Sequence, residues 1–113
     1  MNSAEPKCIK IYEGMTNKIN NVTLIMLSLM SDADSTDEYG GMIVTMNAFN
    51  KMKISKECNI SISRINHTLT ILLNDNMIRR IIPTVYQFNP YKVGKGKWNN
   101  ILRTREIWNQ SVS

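Results

Sequence analysis

Apolar residues recur along the chain in blocks whose spacing switches from helical to strand-like and back. Between Thr16 and Met30, Ile19, Val22, Met26 and Leu29 follow a helical period, and Leu24, Ile25 and Leu27 widen that stripe. Such density predicts a first helix buried on more than one side. Thr16 or Asn17 would cap it by accepting from the unpaired N–H groups of its first turn. It should end at Ser31-Asp32. Ser31 to Gly41 is polar and closes on Gly-Gly, so it reads as a loop. Met42 to Thr45 reads as a short buried strand. A second helix is expected from Asn47 to about Cys58, with Ala48, Phe49, Met52, Ile54 and Cys58 inward and Lys51, Lys53 and Lys56 on other faces.

Asn59-Ile60 forms a turn, and Ser61 is a good cap for a third helix, Ile62 to about Asn74. Its apolar stripe is Ile62, Ile65, Leu69, Leu72 and Leu73. Its polar stripe is Ser63, Arg64, Asn66, His67 and Thr70. Met77 to Ile82 and Val85 to Asn89 then read as two strands joined tightly at Pro83-Thr84, a small hairpin. Tyr91 to Lys97 is a basic connection containing two glycines. A last helix, 98–110, can bury Trp98, Ile101, Leu102 and Trp108. The fold class expected is α+β, mainly α with a small β-hairpin. Two helices across a short turn, followed at once by a hairpin, make the winged helix-turn-helix pattern. A chain of 113 residues suits one such domain, 1–113, with an N-terminal arm over 1–15.

Charge sharpens this picture. The net charge is +5, but residues 1–50 carry −3 and residues 51–113 carry +8. A positive half suits a polyanionic partner, here double-stranded DNA. The densest apolar run, Leu24 to Met30, is interrupted by Ser28 and too short to span a bilayer. Met1 to Lys10 has no apolar signal-peptide core, so a cytoplasmic location is expected and no membrane partner. Cys8 and Cys58 lie far apart with no metal-type spacing, which favours two idle thiols. Asp32, Asp34, Asp37 and Glu38 lack the spacing and glycine of a calcium loop, so they read as a solvated acidic loop and no metal is expected. No cofactor is implied.

The chemistry concentrates in the third helix. Arg pairs bidentately with guanine and Asn with adenine, while Ser and Thr suit phosphates or either base. Ser61, Ser63, Arg64, Asn66, His67 and Thr70 are therefore the candidate DNA-reading residues. Arg79 and Arg80 are adjacent in a strand and must point to opposite faces, so one of them can face phosphate. Lys92, Lys95 and Lys97 alternate with Gly94 and Gly96, where the backbone could approach a phosphate. The GxxxxGK[ST] phosphate loop is absent, because Trp98 follows Lys97. His67 is the sole histidine, so neither a zinc site nor the paired histidines of strand-nicking initiators can form, and no catalytic residue is assigned.

The stretch from Asn59 to Trp98 resembles the winged-helix part of RepL-type plasmid replication proteins. The likeness rests on Ile60-Ser61 opening the third helix, the aliphatic stripe after it, Phe88-Asn89-Pro90, and the Gly94-Lys95-Gly96-Lys97-Trp98 run. It extends over about residues 42–105. It implies a protein that binds an origin to start plasmid or phage replication, reads DNA with Ser63, Arg64, Asn66 and His67, and meets replication proteins. Two other functions share this scaffold. One is a transcriptional (copy-number) regulator, favoured by a homodimer built through the first and last helices. The other is a protein-interaction module.

Overall fold

The computed structural model describes residues 9–12, 14, 19–34 and 36–110. These residues form an α+β fold of four helices and two small antiparallel sheets. The elements are β1 (Ile9–Ile11), α1 (Asn21–Leu29), β2 (Ile43–Thr45), α2 (Ala48–Cys58), α3 (Ile62–Asn74), β3 (Ile78–Ile82), β4 (Val85–Phe88), β5 (Val93–Lys95) and α4 (Trp98–Gln110).

Local chemistry sets most of these boundaries. Asn20, Asn47 and Ser61 cap α1, α2 and α3, each accepting from the N–H three residues on. The caps expected at Thr16 or Asn17 lie outside the described residues; α1 begins only after Asn20. Asn59 ends α2 in the left-handed region with φ 55°, a conformation asparagine tolerates. That single residue turns the chain so that Ser61 can start α3 at once.

One sheet has the order β2–β4–β3, with Ile43 opposite Gln87, Thr45 opposite Val85 and Arg79 opposite Gln87. A register shift between Arg80 and Ile82 closes the hairpin onto Pro83-Thr84. The core gathers Met26 and Leu27 of α1, Ile54 of α2, Ile65, Leu69 and Leu72 of α3, Val44, Ile78 and Phe88 of the sheet, and Ile101 of α4. Met30, Met42, Met46 and Met77 fill the gaps between elements, a use that suits an unbranched, adaptable side chain.

The second sheet was not legible beforehand. β1 falls in the stretch expected to be an arm, and β5 in the stretch expected to be a connection; they pair with Ile9 opposite Lys95 and Ile11 opposite Val93. Three-residue strands carry too little alternation to show in a sequence. Burial corrects several further expectations. α1 is buried on one side only, since Leu24 and Leu29 are each half exposed. On α2, Ala48, Phe49 and Met52 face outward, and Ile54 is the residue that enters the core. Met52 sits ~160° around the helix from Ile54, so one rotation of α2 cannot bury both. On α4, Ile101, Thr104 and Trp108 are buried, while Trp98 and Leu102 stay open.

Three acids of the loop are engaged by the protein's own groups, while Glu38 is exposed as expected of a solvated loop. Asp37 accepts from the N–H groups of Tyr39 and Gly41. Asp34 accepts from the Asn100 side chain, and Asp32 lies 3.8 Å from the Lys95 ammonium. Gly41 has φ +90°, and a Cβ there would stand 2.1 Å from the Asp32 carbonyl oxygen, so only glycine fits. Fully buried Gln87 ties loop to sheet, donating to the carbonyls of Tyr39 and Gly41 at 2.7 and 2.9 Å.

Candidate nucleic-acid interface

α3 places Ile65, Leu69 and Leu72 in the core, which turns the opposite stripe outward. Ser63, Arg64, Asn66, His67 and Thr70 are all exposed. No acidic residue occurs between Ile62 and Asn74. Ser61 accepts from the Arg64 N–H at 3.2 Å, so its hydroxyl is committed to the cap. Thr70 donates to the Asn66 carbonyl at 3.1 Å.

The helix does not bring its two best base readers together. Arg64 and Asn66 stand ~160° apart at 3.6 residues per turn, with Ser63, His67 and Thr70 between them. Arg64 and Thr68 border a cleft with Asn20, Asn21 and Val22 at the start of α1. Asn66 lies on the other flank, where the Lys51 ammonium donates to its Oδ1 at 2.8 Å. Lys51 was placed by sequence on a face of α2 away from the core, yet its contact with α3 could not be read from spacing within α2 alone. Ile62, expected inward, is exposed beside it.

The hairpin separates the two arginines as the strand geometry requires. Arg79 turns inward. Its Nε and Nη2 donate to Gln87 Oε1 at 2.9 and 2.6 Å, Nη1 donates to the Trp108 carbonyl at 3.3 Å, and the guanidinium stacks 4.2 Å from the Trp108 ring centre. Burial pulls its pKa below the ordinary arginine value, and Tyr39 opposes that shift only in its ionised form. This is a residue holding the sheet to α4, not one facing a partner. Arg80 is exposed and lies 5.6 Å from the Tyr86 ring centre.

Of the three lysines after the hairpin, Lys95 is also drawn elsewhere. The Lys95 ammonium donates to the Met30 carbonyl at 2.6 Å and keeps only 17% of its side-chain surface. Gly94 makes room for the Tyr12 hydroxyl and Ile101, and Gly96 for the Asp34 carboxylate. The backbone closeness that glycine permits is thus used by the protein's own side chains. Lys95 reaches the end of α1, whereas Arg64 borders its beginning, and a nine-residue helix separates such points by ~13 Å. Lys97 is exposed at the start of α4, and Lys92 is half-buried. The candidate interface therefore centres on α3 with Lys51 at its margin, and Arg80 is an exposed cation of the hairpin.

Sequence missed one component. Met46, Ala48, Met52 and Ile62, with Lys51 and Thr84, line an open apolar groove of about 520 Å³ between α2, α3 and the hairpin turn. Thr84 is at φ +71°, and its carbonyl accepts from the Met46 N–H at 2.6 Å, which docks the turn on the approach to α2. Among the described residues no group of three metal-ligating side chains comes together, and no helix is long and apolar enough to cross a membrane. No family model, no curated protein and no solved structure matches the chain.

Proposed function

We propose that this chain is a winged helix-turn-helix protein that binds double-stranded DNA, with α3 lying in the major groove. The observation that carries the reading is the exposed stripe of α3: Ser63, Arg64, Asn66, His67 and Thr70 on a helix without acids, flanked by Lys51. Topology supports it too. Helix, strand, two helices across a tight turn and a hairpin, with strand order β2–β4–β3, is the arrangement in which a hairpin wing sits beside a recognition helix. Within this reading His67 and Ser63, at the middle of the stripe, approach base edges. Arg64, at one flank, suits a phosphate ridge.

The likeness to RepL-type proteins makes replication initiation at a plasmid or phage origin the role we favour for this DNA binding, in the cytoplasm. A copy-number regulator on the same scaffold would bind a promoter instead. The half-exposed Leu24 and Leu29 of α1 and the open Trp98 and Leu102 of α4 would suit a homodimer for that role. The apolar groove favours a second reading, a protein-interaction module, which would show little salt dependence.

Selection of duplexes from a random pool, followed by binding at several salt concentrations, tests the proposal. A defined enriched sequence with log K falling steeply against log salt is the expected result. Failure to enrich any duplex would remove the DNA reading and leave the interaction module. Loss of maintenance of an origin plasmid on deletion of the gene would separate initiator from regulator.

A further inference from the structure

The groove beside α3 is apolar where a surface meant only for phosphates has no need of carbon. Met52 and Ile62 keep 45% and 40% of their surface open, and Ala48, one turn before Met52 on α2, is also exposed. Among the described residues lining the groove none is acidic, and its polar members are Lys51 and Thr84. Lys51 occupies Asn66 Oδ1, which leaves the NH₂ group of that amide to act as a donor. The patch thus sets carbon beside positive charge and N–H donors.

Of the four base edges in a major groove, one matches that pairing. Thymine shows a C5 methyl group next to the O4 acceptor. Guanine shows acceptors without a methyl, adenine an acceptor with a donor, and cytosine a donor. The groove is also continuous with the polar stripe of α3, since Ile62 and Asn66 are one turn apart on one side of that helix. A single duplex lying on the stripe would therefore extend over the groove. We infer that Met52, Ile62 and Ala48 receive thymine methyl groups, so that the chain selects A·T pairs at the edge of its site by carbon contact. This rests on the duplex-binding reading above.

Deoxyuridine substitution isolates the methyl, because uracil keeps O4 and the pairing face. The enriched duplex is rebuilt with each thymine replaced in turn, and its Kd for the full chain is measured by fluorescence anisotropy. At one or two positions Kd should rise about four-fold, the equivalent of one buried methyl group. The Met52→Ala, Ile62→Ala double variant should bind the thymine duplex more weakly and be indifferent to uracil at those positions. Both side chains are exposed, and an unchanged melting curve checks the variant's fold. Tight binding with no uracil penalty at any position overturns the inference and leaves duplex binding standing. An equal penalty in wild type and variant does the same. If no duplex is enriched, the reading beneath it falls as well.

Discussion

Thr84→Gly should stabilise this protein. Pro83 followed by a residue of positive φ is the pattern of a type II turn, which wants glycine or asparagine at that second place. Thr84 instead holds φ +71° with a β-branched side chain. For an L-residue the left-handed region costs about 1–2 kcal/mol. The Met46 N–H to Thr84 carbonyl bond, at 2.6 Å, belongs to the backbone and survives the change. The Thr84 side chain is exposed, so little burial is lost. Against the relief stands the extra freedom of glycine in the unfolded chain, roughly 0.5–1 kcal/mol. The difference is a gain of about 0.5–1 kcal/mol. Urea unfolding at unchanged m-value should show a midpoint higher by roughly 0.5 M. Thr84→Asn should move the same way, and Thr84→Val should leave the midpoint near its original value. A lower midpoint for glycine at the same m-value would refute the reasoning, because the left-handed backbone would then be held without strain.

Gln87→Leu should lower stability by about 3–4 kcal/mol in the same assay, from lost charge-assisted bonds of Arg79 and two unsatisfied carbonyls. Gly41→Ala drives a Cβ into the Asp32 carbonyl oxygen, and we expect the purified variant to lack a cooperative melting transition. On the enriched duplex, Arg80→Ala should reduce the slope of log K against log salt by about 1, whereas Arg79→Met should leave the slope alone and lower the melting temperature. Lys95→Met should likewise act on the melting temperature and not on DNA affinity, because its ammonium is bound to the Met30 carbonyl and lies beside Asp32.

The sequence determined where chain segments become regular. Ser61 and Asn74 bracket α3 because a capping hydroxyl, an apolar period and a polar stop are local properties, present whatever the rest of the chain does. The hairpin and its turn were legible for the same reason. So was the polar stripe of α3, since the residues opposite a buried Ile65, Leu69 and Leu72 must face outward.

What a helix or strand packs against is not local, and there only the tertiary structure decided. α2 has apolar residues at two phases, and its rotation onto α1 and α3 chose Ile54 for the core and left Met52 and Ala48 to line a groove. Arg79 and Arg80 are equal in sequence, yet the position of Trp108 on a helix nearly thirty residues later took the first for the interior. β1 and β5 exist because each supplies the other's hydrogen bonds across more than eighty residues, a pairing that neither three-residue segment could announce alone. Lys95 and the acidic loop carry opposite charges at distant positions, and folding brought them together at the end of α1, away from the flank where Arg64 stands.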